Sequence, residues 1–160
     1  MSKPNIWDFW AAHYDRLWVQ WVSLGPTREH LGAQLAQRTP GRLLDMGCGT
    51  GQLCAQLTGW SYHGVDASSA MIAEARRHHP AAHFTCADLL AFAAPAASFD
   101  AVVCAHAFPY VSDKTAALAR LAGWLRPGGC LLLAQACTET VYDRLILSVV
   151  KLTTTPARYL

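Results

Sequence analysis

A carboxylate, Asp45, stands two residues ahead of three glycines in the stretch Leu43-Leu44-Asp45-Met46-Gly47-Cys48-Gly49-Thr50-Gly51. The apolar residues before the glycines read as a strand, and those after them as the opening of a helix. At such a turn Gly47, Gly49 and Gly51 let backbone pass closer to a ligand than any Cβ would permit. Dinucleotide-binding turns space their glycines as G-x-G-x-x-G, whereas here the order is G-x-G-x-G. A carboxylate facing the loop repels a diphosphate and attracts an ammonium or sulfonium group. The chemistry that suits these residues is capture of a cationic, amino-acid-bearing ligand without pyrophosphate.

S-adenosylmethionine is the cofactor that this carboxylate-led turn favours. Other groups with chemical potential lie further along. His106 stands two residues past an apolar run, Phe99 to Cys104, and belongs to a residue type whose ordinary titration lies near neutrality, so it is a candidate general base; lining the pocket or bonding a loop carbonyl is the competing role. Trp7, Phe9, Trp10, His13, Tyr14, Trp18 and Trp21 crowd the N-terminal segment. At 3.6 residues per turn Trp7, Trp10, Tyr14, Trp18 and Trp21 share one side, which fits either a helix packed on the domain or a lid over the ligand. His63, His78, His79 and His83 span a strand, a helix end and a loop without ligand spacing, so no metal site is expected.

The elements that must position these residues alternate. Strands are expected at Arg42 to Met46, Tyr62 to Val65, His83 to Cys86, Phe99 to Cys104 and Cys130 to Ala136. Helices are expected at Gly51 to Leu57, at Ser68 to His78 with Ser68 as its cap, and at Thr115 to Leu125, stopped by Arg126-Pro127-Gly128-Gly129. Right-handed crossovers then make a doubly wound, Rossmann-like α/β sandwich: a mostly parallel five-stranded sheet with helices on both faces. Upstream, helical patterns run from Ile6 to Val22 and from Thr27 to Gln37, separated by a hinge at Leu24-Gly25-Pro26. One domain is expected, with residues 1–38 as a helical lid, 41–136 as the cofactor-binding core, and 137–160 as a helix over Glu139 to Leu152 and a tail.

With these elements in place, Leu43 to Gly51 resembles motif I of the class I S-adenosylmethionine-dependent methyltransferases, and the later segments resemble that family in order. The resemblance runs from about Tyr14 to Ala136. It implies that Asp66, ending His63-Gly64-Val65-Asp66, holds both ribose hydroxyls of the cofactor through a bidentate contact. It implies that Asp88 in Cys86-Ala87-Asp88-Leu89 meets the adenine amino group and that Met71 packs on the adenine face. Tyr14-Asp15 is similar to a family element that covers the cofactor. Further cofactor contacts are expected at Cys48, Ala67, Leu89 and Cys104, and an acceptor pocket at Trp10, His13 and Tyr110. Relatives often carry a histidine or tryptophan near Pro109 and Tyr110; Pro109 departs from that pattern. Methyl transfer needs mainly alignment and exclusion of water, and aromatic walls suit an apolar, aromatic or cationic small molecule.

Composition sets the remaining bounds. A formal net charge of +2 over 160 residues leaves no basic stripe for nucleic acid. Six cysteines lie scattered in apolar stretches, as reduced core thiols in a cytoplasmic protein would. Neither a signal peptide nor a stretch of transmembrane length is visible, so no membrane insertion is expected. The family's full sheet has seven strands with an antiparallel hairpin beside the fifth, yet 24 residues remain after Ala136. An uncovered fifth-strand edge points to truncation or to a homo-oligomer. Two other functions stay open: a cofactor-binding subunit that transfers nothing alone, and an NAD-dependent oxidoreductase, favoured only by the interval from the turn to Asp66.

Overall fold

The computed structural model describes residues 6–135. Five strands, β1 (Arg42–Met46), β2 (Ser61–Asp66), β3 (His83–Cys86), β4 (Phe99–Ala105) and β5 (Leu125–Ala134), form one sheet in the order β3-β2-β1-β4-β5. Every neighbouring pair is parallel. Parallel strands need both faces covered, and the side-chain period of two assigns each residue its layer. Leu43, Tyr62, Phe84, Ala101 and Val103 meet Leu31 and Leu35 of α2 (Gly25–Ala36) and Ile72 and Ala75 of α3 (Ser69–His78). Leu44, Met46, Val65, Val102 and Cys104 meet Ala117, Leu121 and Trp124 of α4 (Lys114–Trp124) on the other face. Burying each large side chain in these layers contributes about 1.5–3 kcal/mol.

Local chemistry explains the helix ends. Ser68 caps α3 by accepting from the Met71 N–H at 3.1 Å, and Asp113 caps α4 by accepting from the Ala116 N–H at 2.9 Å. Arg76 and Arg77 occupy the last turn of α3, where cations complement the helix dipole.

Three expectations need correction. The helix expected over Gly51 to Leu57 is a single 3₁₀ turn, Cys54–Gln56, because Gly51 and Gly59 both take left-handed backbone and leave room for nothing longer before β2. The helix expected over Ile6 to Val22 is broken into α1 (Ile6–Trp10), a 3₁₀ turn (Tyr14–Arg16) and a π-helical turn (Gln20–Leu24). Its aromatic side is dispersed: Trp21 is 81% exposed, whereas Trp7 packs edge-on against Tyr14. The hinge expected at Leu24-Gly25-Pro26 is instead continuous helix. Gly25 donates to the Gln20 carbonyl five residues back, and that wide turn accommodates Pro26, which has no N–H to give.

β5 also begins earlier than expected. Leu125 pairs with Phe99, the register then slips across Arg126-Pro127-Gly128-Gly129, and Cys130 pairs with Ala101. Gly128 has φ +81°, so the stop signal makes a bulge within the strand's span instead of a turn before it. Ala136 and the helix expected over Glu139 to Leu152 lie outside the described residues. No helix among the described residues is long and apolar enough to cross a membrane.

Candidate active site

Strand order reverses between β1 and β4, and in an open parallel sheet the crevice beyond the carboxyl ends of such a pair is where ligands sit. A cavity of about 60 Å³ lies there, walled by Asp45, Gly47, Cys48, Gly49 and Thr50 from the β1 side. Ala105 and His106 close it from β4, and Tyr14, Leu24 and Arg28 from the N-terminal segment. At roughly 10–15 Å³ of such space per water, the cavity holds about four to six waters.

Asp45 projects from β1 into this space and is 3% exposed. Its Oδ2 accepts a 2.7 Å hydrogen bond from the Tyr62 hydroxyl on the adjacent strand. Burial pushes its pKa up to about 6, against the lowering effect of the Tyr62 hydrogen bond; Asp66 raises it further and Arg28 opposes that rise. The Tyr62 hydroxyl is pushed well up in turn by burial and by the same carboxylate.

The glycine turn holds its shape through backbone bonds. The N–H groups of Gly47 and Cys48 both donate to the Val65 carbonyl, at 2.7 and 3.1 Å. Gly47 has φ +79°, and a Cβ there would overlap the side chain of Ala107. Asp66 braces the turn: its Oδ2 accepts from the Gly49 N–H at 2.9 Å and its Oδ1 from the Ser68 N–H at 2.8 Å. Burial raises the Asp66 pKa and those two N–H donors lower it. Each carboxylate oxygen keeps a further lone pair for a hydroxyl donor.

The N-terminal segment is fastened over the turn at two points. The Ser68 hydroxyl donates to Asp8 Oδ1 at 2.6 Å, and the Thr50 hydroxyl donates to Asp15 Oδ1 at 2.6 Å. Tyr14 lies between these points, and burial pushes its hydroxyl up to about 12. The Trp7 ring meets Tyr14 at 6.1 Å and Tyr110 at 5.5 Å, both edge-on. Arg28 donates to Gln20 Oε1 at 2.9 Å, and burial lowers its pKa.

His106 sits at the exit of β4 with φ +58°, a backbone state that costs a non-glycine residue about 1–3 kcal/mol. Its N–H donates to the Ala134 carbonyl at 2.8 Å, and its Nε2 lies 3.1 Å from Thr27 Oγ1. The Thr27 hydroxyl already donates to the Ser23 carbonyl at 2.9 Å. With that proton committed, Thr27 accepts from Nε2–H, and the imidazole lone pair falls on Nδ1. Burial and then Arg28 lower the His106 pKa, so the ring is neutral at physiological pH.

The structure thus gathers Tyr14, Asp45, Gly47, Cys48, Gly49 and His106 around one cavity, with Asp66 bound to its glycine turn. Gly51 turns away toward His79 and Phe84. Other expected residues lie apart. Cys104 is fully buried in the layer under α4, because strand alternation sends Ala105 to the cleft and Cys104 to the opposite face. Burial pushes that thiol up to about 12. Leu89 packs in the same layer, and Met71 is 2% exposed, so both offer the cleft little side-chain surface. Asp88 is exposed and accepts from the Leu90 N–H at 2.8 Å, with Ala67 exposed nearby. His13 is exposed, Trp10 meets Phe9 edge-on, and Tyr110 is 69% exposed against Trp7.

Arg28, Gln52, Thr27 and Tyr62 belong to the site and escape the sequence reading. Gln52 had a visible signal, since it directly follows Gly51. Arg28, Thr27 and Tyr62 reach it only through packing of α2 and pairing of β2.

The donor set fits S-adenosylmethionine. Arg28 offers a cation for the carboxylate of an amino acid, Asp45 an anion for its ammonium, and Asp66 free lone pairs for ribose hydroxyls. A diphosphate would face two carboxylates.

Known proteins agree with this geometry. Residues 43–129 match the family described as methyltransferase domain. An O-methyltransferase, cnsE, of Penicillium expansum is 35% identical over 122 residues, covering 71% of this chain and 44% of that protein. A demethylmenaquinone methyltransferase of Beutenbergia cavernae is 35% identical over 133 residues, covering 82% of this chain and 52% of that protein. A methyltransferase of Geobacter sulfurreducens, solved in complex with S-adenosyl-L-homocysteine, superposes with a TM-score of 0.57 at 27% identity, covering 66% of this chain and 46% of that one. The chain spans about half the length of the curated relatives it matches. On its matched motifs, its sheet order and these relatives, the chain belongs to the class I S-adenosylmethionine-dependent methyltransferase family.

Proposed function

We propose that this chain transfers a methyl group from S-adenosylmethionine to a small-molecule acceptor by in-line displacement. The observation that carries the reading is the cleft at the β1/β4 switch point, where Asp45 and Arg28 stand on one cavity and Asp66 braces its glycine turn. The bound cofactor supplies an electrophilic methyl carbon on a sulfonium, whose sulfur takes the electron pair of the broken bond.

The chain's residues bind, orient and exclude water. Arg28 and Asp45 hold the amino-acid end, and Asp66 holds the ribose. The segment fastened by Asp8 and Asp15 closes over both. Where the acceptor carries a proton on its nucleophilic atom, His106 removes it through Nδ1, the nitrogen that Thr27 leaves free. Trp7 and Tyr110 wall the acceptor side, which suits an apolar, aromatic or cationic molecule. The relatives' names include a quinone methyltransferase and a trans-aconitate methyltransferase, which supports a small acceptor without choosing one.

Titration calorimetry tests the reading. S-adenosylhomocysteine is expected to bind, NAD is not, and Asp66→Ala should weaken the former by about 1.5–3 kcal/mol. Binding of NAD with none of the thioether would reject it.

A second reading, a cofactor-binding domain completed by a second copy or further chain, is favoured by the β5 edge. Among the described residues β5 pairs with β4 alone, and Leu133 is 44% exposed. A monomeric mass in solution together with full transferase activity would remove it.

A further inference from the structure

The cleft contains one polar atom that the binding scheme leaves unexplained. Gln52, immediately after the glycine turn, lines the cavity beside Asp45 and Arg28, and its side-chain Oε1 is buried with no hydrogen-bond partner. A buried amide carbonyl without a donor is uncommon in a folded protein and points to a group that arrives from outside.

The surroundings say what kind of group. The nearby turn amides are committed: those of Gly47 and Cys48 to the Val65 carbonyl, that of Gly49 to Asp66, and that of Gly51 to the Cys48 carbonyl. Arg28 is anchored through Nη1 to Gln20. Asp45 already accepts from Tyr62 through Oδ2. Gln52 and Asp45 thus bring two acceptor-bearing side chains to the wall of one small space. The complementary guest carries several N–H donors and a positive charge. An ammonium group has three donors on one atom and satisfies both; a hydroxyl has one.

We infer that Gln52 is a cofactor-recognition residue whose Oε1 accepts a hydrogen bond from the α-ammonium at the amino-acid end of S-adenosylmethionine, sharing that group with Asp45. The inference rests on the reading of this cleft as the cofactor site. It makes Gln52 a gauge of the amino acid and not of the nucleoside, because Gln52 shares its cavity with Asp45 and Arg28, whereas Asp66 braces the turn at Gly49 without lining that cavity.

The test uses three ligands and two variants in calorimetry, with thermal melts confirming that each variant folds. The ligands are S-adenosylhomocysteine, its analogue lacking the α-amino group, and 5′-methylthioadenosine, which lacks the whole amino acid. Gln52→Met keeps the length and removes the acceptor; Gln52→Glu keeps the acceptor and adds charge. Gln52→Met is expected to lose about tenfold in affinity for S-adenosylhomocysteine, the size of one hydrogen bond to a charged group. Gln52→Glu should bind that ligand at least as tightly as the parent. The desamino analogue and methylthioadenosine should bind the parent and Gln52→Met alike. Equal weakening of all three ligands in Gln52→Met would assign Gln52 to the shape of the turn and overturn the inference, as would unchanged affinity for S-adenosylhomocysteine. If the parent binds neither S-adenosylhomocysteine nor methylthioadenosine, the cofactor site itself is misread, and the inference falls with it.

Discussion

Asp45→Asn should separate what the site needs from what the fold prefers. The Asp45 carboxyl sits at about 6 in the folded protein against an ordinary 3.8, chiefly because burial disfavours its charge. A raised folded-state value means that the folded protein holds the proton more tightly than the unfolded chain, so stability is lost as pH rises from the unfolded value through the folded one. Above that window the charge costs about 3 kcal/mol, taking about 1.4 kcal/mol for each tenfold change in proton affinity. Near pH 4 the same arithmetic leaves only a small part of that cost. Asparagine keeps the shape and still offers an oxygen to the Tyr62 hydroxyl, so the substitution removes charge and little else. Urea unfolding of ligand-free parent and variant from about pH 4 to about pH 8 provides the assay, since their difference cancels groups that titrate alike in both. The variant should gain about 2–3 kcal/mol on the parent between the acid and alkaline ends. Over the same range S-adenosylhomocysteine should bind the variant more weakly by about 1.5–3 kcal/mol near neutrality, the loss of a charge-assisted contact. A stability difference that stays flat with pH would show that Asp45 is not held in a low-dielectric site, and the argument for its ammonium partner would go with it.

Gly47→Ala should destabilise the protein by about 1–3 kcal/mol in thermal melts and abolish cofactor binding, because the position has φ +79° and the new methyl overlaps Ala107. Adding Ala107→Gly should recover only the overlap, since the backbone state is unchanged; a Gly47→Ala protein as stable as its parent would refute the geometry. Asp15→Ala breaks the tie to Thr50 and the 3.6 Å approach of His78, so proteolysis of the N-terminal segment should speed up and S-adenosylhomocysteine should dissociate several-fold faster. An unchanged dissociation rate would show that this segment does not close the site.

The parallel sheet was legible in the sequence because its evidence is local. Apolar runs of four to seven residues bounded by Gly, Pro and Asp mark β1 to β4 closely, and Ser68 announced its own cap. Asp45 and the glycine turn were legible for the same reason, as seven consecutive residues, Asp45 to Gly51, carry both the shape and the charge. The N-terminal segment was not. Its aromatic spacing describes a straight helix, but Pro26 forces a π-turn and the ties from Asp8 and Asp15 to Ser68 and Thr50 bend the chain across the glycine turn.

The sequence by itself determined that strands and helices alternate, that a carboxylate leads a glycine turn, and that the turn suits an amino-acid cofactor. Tertiary structure alone decided which side chains share that cleft. Arg28 comes from α2, Tyr62 from the neighbouring strand, and His106 acquires its free Nδ1 from Thr27, 79 positions earlier in the chain. Periodicity fixes the face on which a residue lies, but partners so far apart meet only when the sheet closes and both layers of helices pack against it.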